Sequence, residues 1–284
     1  MNPWIEAALV ALLALIGAGI GWWFSRLAKP FWLLGYLIPL ILIIAYGLGN
    51  HIPALAVKAP ISWLMSGRNK FAFIGLITTV ILITPLSRLP QRRARFLVVA
   101  LMLVAVWKLS VWPFLAPAFN RDYLAGISTK INFQGVCRQS TDYTCGPAAA
   151  VTALRKLGLP AEEGEIAILA HTSSAIGTPP DMLAEALQNL YAKSGLEIEY
   201  RVFRDLDELK EAGLTLAVIR YSFMLDHYVT VFEVSEDKVT AGDPLLGLRD
   251  YSREEFEEKW RFVGVVLNRV SILDDQPTLP VIME

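Results

Sequence analysis

Four long apolar stretches in the first 120 or so residues are the feature that most restricts how this chain folds. They cover residues 4–24, 31–49, 71–87 and 96–118. An α-helix needs about 20 apolar residues to cross the hydrocarbon core of a bilayer, and each stretch is close to that length. The sequence therefore predicts a transmembrane domain of about four helices over residues 1–119 and a second domain over residues 120–284.

Two of these stretches carry features that bear on how they meet the membrane. No basic region precedes the first stretch and no small-residue cleavage site follows it, so we interpret it as a retained span rather than a signal peptide. Lys108 lies at the middle of the fourth stretch, where a lysine costs a few kcal/mol on insertion scales. We expect Lys108 to snorkel, to face the bundle interior or to mark a re-entrant segment. Residues 53–66, broken by Pro53 and Pro60, are predicted to form an interfacial segment.

The basic residues of the loops predict an orientation. Arg26 and Lys29 follow the first stretch and the sequence SRLPQRRAR follows the third, whereas the N-terminal tail contains no Lys or Arg. Cytoplasmic loops of membrane proteins are enriched in these residues. With four crossings, both termini lie outside the cytoplasm and the second domain is extracytoplasmic. If the fourth stretch does not cross, the second domain lies in the cytoplasm instead.

From about Asn120 the sequence is typical of a globular α+β domain. Helical patterns come first, over residues 147–157, 162–170 and 181–195. Strand patterns then follow, with one short helix, DLDELKEAG, between the first two: LEIEYRVF, LTLAVIRY, HYVTVFEV, DKVTAGD and FVGVVLNRV. This order favours helices packed on a mostly antiparallel sheet. About 150 residues are enough to bury an independent core.

Charge and cysteine content exclude several classes of function. The formal net charge of -1 provides no overall basic field for nucleic acid. The chain contains no G-x-x-x-x-G-K-[ST] motif, so it has no Walker-A phosphate loop. Its two cysteines are too few for a disulfide framework or a cysteine-rich zinc site.

Cys145 stands at a predicted helix start, in the sequence CGPAAA. A helix N-terminus and a nearby imidazolium both favour the thiolate, which is the nucleophilic form of cysteine. Pro147 suits the first helical turn, where its missing N–H is not needed. Of the three histidines, His227 is the best partner, because it opens the strand HYVTVFEV and the following hairpin returns Asp243 to the same end. Asp243 is then expected to orient the imidazole.

Gln139 lies six residues before Cys145. We expect its side-chain amide to donate to the oxyanion of a tetrahedral intermediate, beside the backbone N–H of Cys145. Each candidate also has an ordinary structural interpretation. Free cysteines are commonly buried in cores, and a histidine at a strand start is more often structural than catalytic. Only their combined spacing favours catalysis.

The stretches QSTDYTCGPAAA, DHYVTVFEV and AGDP resemble the C39 family of cysteine peptidases. These are papain-like domains that remove double-glycine leader peptides from bacteriocins and related secreted peptides. In that family a Gln precedes the Cys-Gly by six residues, and the His and the Asp-Pro are about sixteen apart. The same separations, six and sixteen, occur here. Phe256 and Trp260 resemble the closing motif of the family, so that the resemblance covers residues 133–270.

The resemblance implies a papain-like fold and a cysteine peptidase activity. It implies Cys145 as nucleophile, His227 as general base and acid, Asp243 as the residue that orients the histidine, and Gln139 as an oxyanion donor. It implies no metal and no cofactor. The expected partners are a peptide or protein substrate and a lipid bilayer, without nucleic acid, and the expected location is the bacterial inner membrane. Exporter members carry the peptidase first, then membrane helices and an ATPase, whereas here the helices come first and no ATPase motif is present.

Other functions stay open at this point. The same scaffold supports acyl transfer by an amidase or transpeptidase, and it also supports non-catalytic binding of a leader peptide. The helical half alone is compatible with transport, although an anchor is the preferred interpretation. Cys137 is interpreted as a core thiol, and a Cys137–Cys145 disulfide that switches the enzyme off is the alternative.

Overall fold

The computed structural model describes three parts of the chain, residues 3–51, 69–222 and 225–269. The interfacial segment predicted at 53–66 therefore lies outside the described residues. The chain divides into two compact units. The helical unit extends to Ile127 and also takes in Thr141–Thr144 and His171–Asp181. The α+β unit contains Ser128–Ser140, Cys145–Ala170 and the chain from Met182 onward.

The helical unit is built from apolar helices that follow the predicted stretches. They are α1 (Pro3–Arg26), α2 (Leu34–His51), α3 (Asn69–Ile83), α4 (Arg92–Val106) and α5 (Trp112–Ala125), with a π-helical turn at Trp107–Val111 between the last two. Within the described residues, three continuous helical segments are long and apolar enough to cross a membrane: Pro3–Arg26, Asn69–Arg88 and Arg92–Ala125. The second predicted stretch forms a 3-10 turn at Phe31–Leu33 that continues into α2, with Phe31–Gly47 as its apolar part.

Lys108 lies in the π-helical turn of the longest of these segments. Its side chain is exposed, whereas Ser110 and Val111 of the same turn are buried. The chain continues as a helix through this turn to Ala125, so it does not reverse direction as a re-entrant segment would. The interpretation of Lys108 as facing the bundle interior is wrong, and its exposure agrees with a snorkelling lysine.

Glycines bring α1 and α3 into close contact. A Cβ atom built on Gly17 would lie 2.1 Å from Thr79 Oγ1 and 2.7 Å from the carbonyl oxygen of Leu76. One built on Gly21 would lie 2.8 Å from the carbonyl oxygen of Val80. Small residues at such crossings let the backbones of apolar helices approach closely, which increases the dispersion contacts between them.

The α+β unit is centred on one antiparallel sheet. Six strands of the described chain form it, in the spatial order β3-β8-β4-β5-β6-β7. Their bounds are β3 (Leu196–Val202), β4 (Thr215–Ser222), β5 (Leu225–Val234), β6 (Lys238–Asp243), β7 (Gly247–Ser252) and β8 (Trp260–Arg269). A separate short pair consists of β1 (Lys130–Ile131) and β2 (Cys137–Arg138). The predicted α+β fold class with a mostly antiparallel sheet is confirmed.

Four of the five helices in the described part of this unit agree closely with the predicted patterns, and the last one was not predicted. The helices are α6 (Cys145–Lys156), α7 (Glu163–Leu169), α8 (Pro180–Tyr191), α9 (Leu206–Ala212) and α10 (Arg253–Lys259). Gly158 and Gly195 follow α6 and α8 with φ of 72° and 70°, left-handed conformations that glycine adopts without strain. The strand patterns did not include β7, because three consecutive residues of GLRDYS are exposed and the sequence does not alternate.

Alternate residues of β4 bury both faces of the sheet. Leu216 and Val218 pack in a core with α6 and α8, while Ala217 and Ile219 pack in a second core with α9 and α10. Successive side chains of a strand point to opposite faces, so a strand between two cores is apolar at nearly every position. The central strands are thereby held rigidly on both sides, and β5, the neighbour of β4, carries His227.

Candidate active site

Cys145 is the first residue of α6 and is buried. The helix that carries it is fastened to the sheet by a buried polar contact: Thr230 Oγ1 on β5 donates to the carbonyl oxygen of Ala149 at 2.8 Å. Thr230 is three residues beyond His227 on the same strand. The helix with the cysteine and the strand with the histidine are therefore held together by a direct hydrogen bond.

His227 and Asp243 form a buried pair. His227 Nε2 lies 2.8 Å from Asp243 Oδ1, and 4% and 3% of the two residues are exposed. The hairpin of β5 and β6 creates this contact, with Thr230 opposite Gly242 in the register. Asp243 Oδ1 also accepts the backbone N–H of Leu245 at 2.7 Å, so the turn after β6 fixes the carboxylate. The predicted return of Asp243 to His227 is what the structure shows.

The electrostatics of the pair favour its charged form. Burial lowers the pKa of His227, but hydrogen bonds to Asp243 and Cys145 outweigh burial and raise it from 6.5 to about 9. Burial raises the pKa of Asp243, but its hydrogen bonds to His227 and to the amides of Leu245 and Leu246 hold it below the usual value. At neutral pH the site therefore contains an imidazolium against a carboxylate.

The imidazole of His227 connects the cysteine to the aspartate. Because Asp243 occupies Nε2, the other ring nitrogen is available for the hydrogen bond that His227 makes with Cys145. The ring of Tyr221 lies beside the imidazole, with 5.8 Å between ring centroids. No pattern in the sequence selects Tyr221, because its contact with His227 arises only from the pairing of β4 with β5.

Gln139 is held through its backbone beside the same site. Its N–H donates to the carbonyl oxygen of Pro244 at 3.1 Å, directly after Asp243. The next residue, Ser140, donates to the buried carboxylate of Glu163. Side-chain hydrogen bonds thus join three of the predicted residues, and a backbone hydrogen bond ties the fourth to the turn beside them. Sequence analysis missed Glu163, which has the appearance of an ordinary acidic residue in the first turn of a helix.

Cys137 differs from Cys145 in its surroundings. It is fully buried, and its backbone N–H donates to Thr152 Oγ1 on α6 at 2.9 Å. Burial, together with the negative charge of Glu163, raises the pKa of the Cys137 thiol to about 12. A thiol of this kind stays protonated and unreactive at neutral pH. Both cysteines are free thiols in the structure, in keeping with Cys137 as a core residue.

Comparison with known proteins identifies the family. The sequence profile of the peptidase C39 family matches residues 134–271. An uncharacterized protein of Methanothermobacter thermautotrophicus is 31% identical over 141 residues, which are 50% of this chain and 92% of that protein. The chain belongs to the peptidase C39 family. The predicted family and enzyme class are confirmed: this C39 protein is a cysteine peptidase.

Two further similarities extend the comparison. A probable functional amyloid protease of Pseudomonas aeruginosa, FapD, is 30% identical over 139 residues, which are 47% of this C39 chain and 59% of FapD. Among solved structures, a double glycine motif protease from an AMS/PCAT transporter, in complex with the leader peptide, is 16% identical with a TM-score of 0.41. That alignment covers 50% of this chain and 94% of the solved one.

Proposed function

We propose that this C39 peptidase is anchored in a membrane and cleaves peptide bonds with Cys145 as nucleophile, His227 as general base and acid, Asp243 as orienting residue and Gln139 as oxyanion donor. The observation that carries the proposal is the continuous buried hydrogen-bonded chain from Cys145 through His227 to Asp243. Structural histidines and cysteines are common when they occur singly. A thiol, an imidazole and a carboxylate that are hydrogen-bonded one to the next form the arrangement that activates a thiol for nucleophilic attack.

In the first half of the reaction the thiolate of Cys145 attacks the carbonyl carbon of the scissile peptide bond. A C–S bond forms and the carbonyl oxygen becomes an oxyanion. Collapse of this intermediate breaks the C–N bond, and the imidazolium of His227 gives its proton to the departing amine. The raised pKa of His227 supports this role, because the ring carries the proton at neutral pH.

In the second half water replaces the amine. Neutral His227 takes a proton from the water as its oxygen attacks the thioester, and the C–S bond then breaks to release the carboxylic acid and regenerate the thiolate. Asp243 stabilises each imidazolium that forms and keeps the ring in one orientation. Two hydrogen bonds from the turn after β6 keep the carboxylate ionised and immobile throughout.

The proposed oxyanion site consists of the backbone N–H of Cys145 and the side-chain amide of Gln139. Cys145 is the first residue of α6, where backbone N–H groups have no partner within the helix. Removal of one oxyanion donor typically lowers kcat by about 100-fold to 1,000-fold, so that Gln139 contributes on that scale.

We propose a peptide or protein substrate that is cut after a pair of small residues. The family resemblance supports this class, since C39 domains of exporters cut after double glycine. The FapD relative is named as a protease, which agrees with a peptide substrate. A fluorogenic peptide that ends in Gly-Gly before a coumarin amide is the first probe, and replacement of both glycines by leucine is its control.

The apolar helices are proposed to anchor the enzyme at the bilayer where its substrate emerges. Three segments of spanning length and the shorter Phe31–Gly47 support this. The extracytoplasmic orientation depends on four crossings and therefore requires Phe31–Gly47 to cross as well. A reporter that is active only outside the cytoplasm, fused after residue 269, tests it: activity supports four crossings, and inactivity with a cytoplasmic reporter active at the same site contradicts them.

The active-site assignment is tested on the full chain in detergent. Iodoacetamide alkylation of Cys145 is followed by mass spectrometry from pH 4 to pH 9, in the wild type and in His227→Ala. We expect Cys145 to be alkylated faster in the wild type than in the variant, because the imidazolium of His227 favours the thiolate. Equal profiles for the two proteins would remove His227 from the proposed mechanism.

A further inference from the structure

Glu163 is a fully buried carboxylate that the proposed mechanism does not use. None of its surface is exposed, although it is the first residue of a short helix, α7. A buried carboxylate is strongly unfavourable unless hydrogen bonds compensate for its lost hydration. The partners that hold Glu163 in the interior therefore indicate what this charge does.

Both carboxylate oxygens of Glu163 bind one residue, Ser140. Oε1 accepts the backbone N–H of Ser140 at 2.8 Å, and Oε2 accepts its hydroxyl at 2.7 Å. The backbone N–H of Glu163 in turn donates to Thr129 Oγ1 at 2.9 Å. Hydrogen bonds to a charged acceptor are about twice as strong as neutral ones, and two of them fix Ser140 in both position and rotamer.

Ser140 directly follows Gln139, which is the proposed oxyanion donor. The N–H of Gln139 is bound by the carbonyl oxygen of Pro244, so the dipeptide is fixed by the Asp243 turn on one side and by Glu163 on the other. The turn also holds the carboxylate that orients His227. The turn after β6 thus holds both the backbone of Gln139 and the carboxylate of Asp243.

We propose that Glu163 is the positioning residue of the oxyanion site, which acts through Ser140 to hold Gln139 where the negative charge of the intermediate develops. This inference rests on the proposed roles of Cys145 and Gln139. Oxyanion stabilisation depends on donors that are already in place, and a shift of about 1 Å in such a group costs up to about 100-fold in rate. Glu163 is not among the groups that raise the pKa of His227, so we assign it no part in forming the thiolate.

Two reactions of Cys145 separate these roles. Alkylation by iodoacetamide displaces iodide at a saturated carbon and forms no oxyanion. Acylation by p-nitrophenyl acetate proceeds through a tetrahedral oxyanion: the thiolate forms a C–S bond with the acetyl carbon, and p-nitrophenolate departs. The ratio of the acylation rate to the alkylation rate therefore reports the oxyanion site, independently of how much thiolate is present and of peptide recognition.

The test measures this ratio on the full chain in detergent, with the modified residue identified by mass spectrometry. For Glu163→Ala we expect the ratio to fall about tenfold or more, with alkylation unchanged. Gln139→Ala should lower the ratio similarly, and the double variant should fall no further, because both changes remove the same interaction. Glu163→Gln should recover part of the ratio, since its amide oxygen still accepts one of the two Ser140 hydrogens.

An exposed glutamate on the same helix provides the matched control. Glu165→Gln changes the same charge two residues later, and its ratio should equal that of the wild type. If Glu163→Ala fails to fold, Ser140→Ala removes only the hydroxyl donor and should lower the ratio by a smaller amount.

The outcomes distinguish this inference from the proposed function. A wild type whose Cys145 is not acylated at all would contradict the proposed mechanism itself. A wild type that is acylated, a Gln139→Ala variant with a lowered ratio, and Glu163 and Ser140 variants with a normal ratio would overturn the positioning role alone. Additive losses in the double variant would overturn it as well.

Discussion

The helical unit and the α+β unit differ in how many large apolar side chains they leave exposed. The helical unit buries a small apolar cluster but leaves many large apolar side chains exposed, such as Leu15 at 69% and Phe96 at 72%, and it buries the polar residues Thr79 and Thr84. In the α+β unit the interior is leucine, valine and aromatic side chains, such as Phe256. Water drives apolar side chains inward, whereas lipid tails provide no such drive, so the contrast is that expected for two different solvents.

Two buried threonines of the helical unit and two polar side chains near the site find partners at different distances along the chain. Thr79 and Thr84 donate to carbonyl oxygens three and four residues earlier in their own segment. In the α+β unit Thr230 reaches Ala149, and Ser140 reaches Glu163, across 81 and 23 residues. A hydrogen bond within one helix satisfies a buried hydroxyl group whatever surrounds that helix. A long-range hydrogen bond forms only in the folded unit, and it can therefore hold the residues of a catalytic site in place.

The largest effect is expected at the histidine of the α+β unit. His227→Ala should lower turnover of the Gly-Gly coumarin peptide by roughly 10,000-fold or more, because the general base and acid is lost. His171→Asn is the matched control: His171 has φ of 52°, a conformation that asparagine tolerates, and turnover should stay within about twofold. If turnover falls equally in both variants, the loss in His227→Ala comes from an effect on folding and not from a catalytic role of His227.

Next in size is the apolar core of the α+β unit. Phe256 is fully buried against Tyr251 and Trp260, whereas Phe133 is 97% exposed. Phe256→Ala should destabilise this unit by about 3–5 kcal/mol and Phe133→Ala by less than about 0.5 kcal/mol. Hydrogen exchange of the sheet amides measures both. Similar values for the two variants would contradict the assignment of Phe256 to the core and Phe133 to the surface of this unit.

The contact between helices α1 and α3 should be destabilised when a methyl group is added, whereas the core of the α+β unit is destabilised when a side chain is removed. Gly17→Ala places a Cβ atom against Thr79 and Leu76 and should cost about 1–3 kcal/mol. Gly19→Ala, two residues away with nothing within 4 Å, should gain up to about 1 kcal/mol from helix propensity. Thermal unfolding of the full chain in detergent should give shifts of opposite sign. Shifts of the same sign would show that glycine is not required at this crossing.

The smallest predicted effect is a displacement of the pH profile. The pKa of His227 is raised to about 9, so the imidazolium, and the activity that needs it, should decline as the pH rises through that value. Asp243→Asn removes the negative charge while burial still lowers the pKa, so the basic limb of the profile should move down by at least about one unit, or about 1.4 kcal/mol. If the basic limb of the pH profile does not move in Asp243→Asn, a group other than His227 controls that limb.

The same raised pKa has a consequence for stability. Because the folded value lies above the ordinary 6.5, the pair stabilises the fold fully below about pH 6.5, and this contribution is lost as the pH rises through about 9. Urea unfolding of the α+β unit at pH 6 and pH 10 should therefore differ less in Asp243→Asn than in the wild type.

The sequence by itself determined most of the secondary structure. Apolar stretches of about 20 residues identified the helical segments. Alternation identified β3, and short runs rich in β-branched and aromatic residues identified β4, β5, β6 and β8, because these patterns follow from local geometry and burial. The spacing of Gln139, Cys145, His227 and Asp243 selected the residues of the site. The edge strand β7 carried no such pattern, since most of its residues are exposed.

Only the tertiary structure decided which groups meet. The exposure of Lys108 depends on how the helices pack, and the contact of Tyr221 with His227 depends on the pairing of β4 with β5. The burial of Glu163 beneath Ser140 depends on two segments that are 23 residues apart in the chain. A carboxylate in the first turn of a helix has the same sequence pattern whether it is solvated or buried. Its role becomes visible only when the fold supplies the donors that make its burial possible.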